Sequence, residues 1–510
     1  MLARVNSVAH IGLASVPVEV EVDVATVGFP GFNIVGLPSK AVEEAKERVK
    51  TAIINTGCSF PQKKITVNLA PADIAKDGSF YDLPIALGIL LAAGEIGSNN
   101  EIKESVFYGE LSLDGGLRHT KGVLLVGIYA SENKLKKVFV PKDSSYEAAV
   151  VDKIEVYPVL SLAQLIDHIT DNEKIKPMKK IVVDKLMHEA ESEFDFSEVL
   201  GQEQAKRALT IAAAGGHNIL MSGPPGSGKT MLAKALPSIL PPLTPKEALE
   251  ITRIYSSSGL LNPGEAIVTT RPFRFPHHST SLAGLIGGGS KPMPGEISLS
   301  HLGVMFLDEM AEFPRAVMES MRQPMEDGKI VVSRAAGRIE YPANFMLVAA
   351  VNPCPCGFLN HPKKECRCSL REIERYKRRI SGPILDRIDI HINVPFVEAQ
   401  KLEESNNSNE NSKSIRTKVI NARQIQLNRF KSLKNIYTNS QMKNKEVKIY
   451  CSLSDEEKNL MKLAVDKHSL STRSYFRILK VARTIADLSN EKDIKLEHLA
   501  EALQYRMRVF

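Results

Sequence analysis

The spacing of hydrophobic positions changes several times along this chain, and each change marks an element. Val18, Val20, Val22 and Val24 alternate with Glu19, Glu21 and Asp23, the two-residue period of a strand with one buried face. After Ser39 the period lengthens. Val42, Ala45, Val49 and Ala52 then share one face of a helix. Residues 64–69 predict another strand, 82–93 a buried helix, and 137–141 a further strand, so residues 1–170 form a compact α+β unit. Residues 171–195 are charged and aperiodic, as expected of a linker. Between 196 and 400 apolar strand candidates alternate with helices, the order that builds a parallel sheet. The polar, low-complexity stretch 401–415 is expected to be a disordered insert. Residues 416–510 predict a helical domain, with Ser454 and Glu457 as a capping box and further helices at 472–488 and 496–508.

The 510 residues are 43% hydrophobic and 25% charged, the values of a globular protein with room for about three domains. The longest clean apolar stretch, 83–94, is shorter than the ~20 residues a bilayer span needs, so no membrane association is expected. The start, MLARVNSVAH, lacks the apolar run of a secretory signal, and six cysteines do not make a disulfide scaffold. A cytoplasmic enzyme is the expectation. A net charge of +7 suits a polyanionic partner and a solvated basic surface equally well.

The chemistry concentrates in the second unit. Gly223-Pro-Pro-Gly-Ser-Gly-Lys-Thr230 follows a strand at 218–222 and opens a helix at 231–240, the context a phosphate-binding loop requires. In such a loop Gly223, Pro224, Pro225, Gly226, Ser227 and Gly228 wrap backbone N–H groups around phosphates. Lys229 reaches the β- and γ-phosphates of ATP, and the Thr230 hydroxyl takes Mg²⁺. A second strand, 303–307, ends in Asp308-Glu309. Asp308 can hold Mg²⁺, and Glu309 can act as general base on the attacking water. A third strand, 344–351, ends in Asn352, whose amide could orient that water. Gly382-Pro-Ile-Leu-Asp-Arg-Ile-Asp389 offers Arg387 as a cation for a γ-phosphate, although such an arginine read alone is more often a surface ion pair.

Cys354-Pro-Cys356 and Cys366-Arg-Cys368, nine residues apart, give four thiols that could hold tetrahedral Zn²⁺ or remain free in a reducing compartment. Four protein ligands leave no open position, so a metal there would brace the loop. Arg371, Arg375, Lys377, Arg378 and Arg379 form a basic run suited to DNA, a neighbouring subunit or solvent. Two segments could line a pore and meet DNA phosphates. One is the Gly287-Gly-Gly-Ser-Lys291 insert; the other is a hairpin rising through 329–334 and returning through 338–341. Lys291, Lys329, Arg334 and Arg338 are their candidate cations. His277 and His278, read as a strand pair, point to opposite faces, which disfavours joint chelation and leaves them a structural or DNA-proximal place.

Together these motifs resemble an AAA+ ATPase of the Mg-chelatase-like ComM/YifB family. The resemblance rests also on Gly201-Gln-Glu-Gln-Ala-Lys-Arg-Ala208, Ala212-Ala-Ala-Gly-Gly-His-Asn218, Arg271-Pro-Phe-Arg-Phe-Pro-His-His278, Pro294-Gly-Glu-Ile-Ser298 and the stretch 470–488. It implies an α/β fold with a central P-loop parallel-sheet domain and a C-terminal helical lid. It also implies that Asn352 is sensor 1, Arg387 a finger given to a neighbouring subunit, and Arg473 sensor 2. A homo-oligomeric ring, most simply a hexamer, and a DNA partner, single-stranded or branched, follow from the same resemblance.

The N-terminal domain resembles the ribosomal-protein-S5-like fold of Lon-type proteases. Lys76-Asp-Gly-Ser-Phe-Tyr-Asp82 aligns with the nucleophile segment, but Phe80 stands at the nucleophile position and Ser79 one place before it. Thr120 stands at the catalytic lysine's position, with Lys121 one place after. Two opposite offsets spoil a Ser–Lys dyad, so the domain is expected to be non-proteolytic. The ComM/YifB resemblance implies an ATP-driven DNA motor that promotes branch migration and strand integration in homologous recombination or natural transformation; the alternatives are a chelatase-type ATPase that remodels another protein and an ATP-dependent protease.

Overall fold

A computed structural model describes residues 2–27, 29–187, 194–289, 293–334, 337–396, 410–433, 435–468 and 470–506. The chain divides into two compact units. One comprises Met1–His188 and Thr244–Thr269, the other Glu189–Leu243 and Thr270–Phe510.

In the first unit, four strands stand in the order Leu2–Ile11, Ala14–Val24, Lys64–Ala70, Gly31–Val35. The last two pair in parallel and the others antiparallel. Val18, Val20, Val22 and Val24 turn inward, as their alternation requires. The helix Asp82–Ala93 is buried on almost every face, which explains its lack of polar positions. A second sheet of three parallel strands has Lys137–Pro141 at its centre, between Ser105–Phe107 and Glu155–Val159.

Residues 244–269 fall within the stretch 196–400 that the alternation of strands and helices predicts as one sheet domain, but they pack in the first unit. The helix Pro245–Ser258 starts at a capping box of Thr244 and Glu247. Its Ser256 donates to the buried Glu147 carboxylate, which also accepts from the Leu124 N–H. Burial pushes the Glu147 pKa up to about 7, against the pull of those two hydrogen bonds. Nothing in local periodicity reveals that a helix leaves one unit to complete another.

The second unit is built on five parallel strands in the order Phe273–Arg274, Val304–Leu307, Met346–Val351, Ile219–Ser222, Ile390–Asn393. The three central strands are buried throughout, the mark of a sheet covered on both faces. Behind it lie helices Ser412–Arg429, Asn444–Tyr450, Asp455–His468, Thr472–Leu488 and Leu496–Gln504. Of the stretch read as a disordered insert, 401–409 lies outside the described residues, and 412–415 is the first turn of a helix. Ser412 is tied in, its hydroxyl accepting from the Phe196 N–H at 2.8 Å.

A buried polar network joins sheet and helices. His217 bonds Asp389 at 2.9 Å and Thr484 at 2.8 Å, and Asn439 donates to both Thr484 and Asp487. Asp389 also pairs with Arg477. Burial alone would raise the Asp389 pKa, but Arg477 and His217 outweigh it and hold the carboxyl far below its ordinary range.

Candidate active site

The loop 223–228 leaves the end of the central strand Ile219–Ser222 and turns into the helix Lys229–Ala235. Gly226 and Gly228 carry φ of +76° and +89°, a region where a side chain is strained, so the loop's path needs glycine at both. Lys229 folds back over the loop, donating to Gly223 O at 2.7 Å and Pro224 O at 2.8 Å. Burial lowers its pKa to about 8, opposed by Asp308 and Glu309. An ammonium held by two backbone carbonyls and, at 3.4 Å, by the Ser227 hydroxyl over a glycine-shaped cradle is the donor arrangement that phosphate oxygens take over.

Thr230 Oγ1 donates to Asp308 Oδ2 at 2.8 Å. A hydroxyl and a carboxylate meeting beside the loop are the hard oxygen donors that suit Mg²⁺. Glu309, the next residue, is exposed, with φ at +50°. That turn separates its carboxylate from Asp308 and brings it 3.6 Å from His278 Nδ1. The histidines correct the sequence reading. Residues 277 and 278 lie beyond the short strand, and their rings sit 4.1 Å apart on the same side. Arg274 forms a two-pronged pair with Glu296 at 2.6 and 2.8 Å, joining the 271–278 and 294–298 motifs. Asn352 follows the strand Met346–Val351, at the same end of the sheet as the loop, and its backbone hydrogen-bonds Tyr376.

Arg387 and Arg473 lie elsewhere. Asp389 N and Ile390 N donate to Asn218 O, which places Arg387 at the strands' N-terminal ends. The phosphate loop is at the opposite ends, about 13 Å away along a four-residue strand. Arg387 is 6% exposed, donates to Pro383 O at 2.6 Å and pairs with Glu326. Arg477, to which no sequence motif assigns a role, donates to Arg387 O at 3.2 Å. Arg473 is exposed one turn earlier on that helix. Neither candidate cation therefore faces its own chain's loop.

The expected hairpin exists, with Lys329–Arg334 paired antiparallel to Gly337–Pro342. Lys329 is paired with Glu340 at 3.1 Å, and Arg338 is exposed. The side chain of Arg334 and all of Lys291 lie outside the described residues, although Gly287–Gly288 and Met293–Pro294 do form a small ribbon. Arg315, Arg375, Arg378 and Arg379 line one cleft, where Arg379 pairs with Glu312. In the first unit Ser79 donates to Glu110, and the Phe80 ring stacks on Tyr108 at 4.5 Å.

A phosphate loop on a parallel sheet, one strand removed from the strand bearing Asp308, with a helical domain behind, defines an ATPase of the AAA+ class. Family signatures agree. Residues 195–402 match "Magnesium chelatase, subunit ChlI", 20–144 match "Subunit ChlI of Mg-chelatase", and 409–506 match "Magnesium chelatase, subunit ChlI C-terminal". The chain is 43% identical to competence protein ComM of Haemophilus influenzae over 512 residues, covering 100% of this chain and 98% of that one. It is 41% identical to the YifB protein of Escherichia coli over 99% of this chain and 97% of that one. A magnesium-chelatase 67 kDa subunit of Chlorobaculum parvum is 26% identical over 31% of this chain and 23% of its own length. The chain belongs to the ComM/YifB family of Mg-chelatase-like AAA+ proteins, and membership implies ATP hydrolysis with Mg²⁺.

Proposed function

We propose that this chain is an ATP-driven DNA motor that promotes branch migration and strand integration, in homologous recombination or natural transformation. The observation that carries the reading is the full-length likeness to a competence protein. In the proposed cycle Lys229 leaves its loop carbonyls for the β- and γ-phosphates, and Thr230 and Asp308 hold Mg²⁺. Mg²⁺, when bound, neutralises phosphate charge. Glu309 takes the proton of the attacking water, with His278 fixing its carboxylate, and Asn352 orients that water.

Arg387 and Arg473 complete the site of a neighbouring copy. Their position at the far end of the sheet supports this, because neither serves the loop of its own chain. A heterologous contact that closes on itself gives a ring, here proposed as a hexamer. The hairpin cations Lys329, Arg334 and Arg338, together with Lys291, are the proposed DNA contacts.

The test is ATP hydrolysis by the purified chain with and without single-stranded and forked DNA, with Lys229→Ala as the blank. Strong stimulation by DNA, absent in the variant, supports the motor. Hydrolysis indifferent to DNA overturns it in favour of chelatase-type protein remodelling, the reading that the partial match to a magnesium-chelatase subunit favours.

A further inference from the structure

Two CxC pairs that the sequence separates by nine residues come together in the fold. The Sγ atoms of Cys354, Cys356, Cys366 and Cys368 all lie within 4.8 Å of one another. Cys354–Cys356 is 3.4 Å, and both Cys354–Cys366 and Cys356–Cys366 are 3.6 Å. Zinc–thiolate bonds of ~2.3 Å in a tetrahedron put sulfurs about 3.8 Å apart. The cluster thus has the size of one tetrahedral ion, too small for an iron–sulfur cage. The Cys356 N–H also points at Cys368 Sγ, 3.4 Å away, the backbone hydrogen bond that thiolate ligands commonly receive.

The position of the cluster says what an ion would do there. Cys354 is fully buried two residues after Asn352, at the end of a central strand. The turn it begins closes through Gly357 N to Cys354 O at 2.9 Å. Gly357 has φ of +81°, and a Cβ on it would stand 2.5 Å from Pro225 Cδ, so this turn lies directly against the phosphate loop. After Cys368 the chain enters the helix Leu370–Lys377, whose Tyr376 returns to the Asn352 backbone. The loop between the two cysteine pairs therefore starts and ends beside the catalytic strand.

We propose that these four cysteines bind one zinc ion, and that the ion sets nucleotide affinity by pinning the 354–357 turn against Pro225. The second half rests on the nucleotide-site reading above; the first does not. The cysteines are positioning residues, since no thiol is left to touch substrate.

The experiment uses the full chain purified without chelator. Elemental analysis should find about one zinc per chain, and growth with cobalt should give the intense visible bands of a tetrahedral cobalt–thiolate site. Cys366→Ser with Cys368→Ser should lose the metal and raise the KM for ATP several-fold, with a smaller change in kcat. Cys356→His, which keeps an N/S ligand set, should retain both zinc and KM. Gly357→Ala should keep the zinc, since all four thiols remain, yet raise KM, because its Cβ crowds Pro225. A wild-type chain with no metal and no cobalt bands, or with iron in place of zinc, overturns the site. A zinc-free variant with unchanged KM overturns the positioning role. Absence of ATP hydrolysis in the wild type would fault the nucleotide reading while leaving the metal count to decide the site.

Discussion

Thr230 and Asp308, 78 positions apart, meet at 2.8 Å past the end of the strand that lies between the two strands leading to them. That single hydrogen bond aligns the end of the phosphate loop with the acidic strand end. Thr230→Ala and Asp308→Asn should each lower Mg²⁺-dependent kcat/KM by roughly 100-fold or more. If they act as one unit, the double variant should cost about as much as either alone. Steady-state kinetics of the three variants, titrated with Mg²⁺, reads this directly.

Glu309 and His278 make a second test. Glu309→Gln removes the base but keeps the shape of the site, so kcat should fall by ~10²–10⁴ while nucleotide still binds. His278→Ala should have a smaller effect on kcat and little on KM, because it only frees the Glu309 carboxylate. A Glu309→Gln variant with normal turnover would remove Glu309 from the mechanism.

Lys229 predicts a pH dependence. Its burial-lowered pKa near 8 means the free protein loses this ammonium as pH rises through 8. The γ-phosphate is already ionised there, since its last pKa is near 6. The KM for ATP should therefore climb several-fold between pH 7 and 9, with proton uptake on binding visible by calorimetry in two buffers. A flat KM across that range would contradict the lowered pKa.

Arg387 tests the neighbour arrangement. Lys229→Ala and Arg387→Ala should each be inactive alone. An equal mixture should regain activity, because about a quarter of the interfaces in a randomly mixed ring pair an intact loop with an intact arginine. No recovery, with mixed oligomers shown to form, would place Arg387 in a structural role through Glu326.

Glu147 predicts a stability profile in the first unit. Its folded pKa of about 7 lies above the ordinary glutamate value, so the folded state binds the proton more tightly. Stability is thus lost as pH rises between about 4.5 and 7, and the cost is complete above that window. Glu147→Gln should stabilise this unit by on the order of 3 kcal/mol at pH 8 and by nothing at pH 4. Urea unfolding of the full chain, followed by hydrogen exchange in the helix Val123–Glu132, measures it.

Local rules were enough for much of this molecule. The valines of 18–24 alternate because strand side chains do, and the ends of the helix Asp82–Ala93 could be read from its composition. The phosphate loop announces itself because its φ angles need glycine at fixed positions. These features depend on neighbours within a few residues, which the order of amino acids specifies directly. Other features arise only when distant segments meet. Residues 244–269 complete the first unit, Arg477 and His217 converge on Asp389, and the rings of His277 and His278 sit side by side. Arg387 and Arg473 stand at the wrong end of the sheet for their own loop, because strand direction fixes which termini share an edge. The cysteine spacing suggested an ion, but only the closed loop shows four sulfurs within 4.8 Å beside Pro225. Such placements are set by how buried surfaces and polar groups are satisfied across hundreds of residues, and no local pattern carries that information.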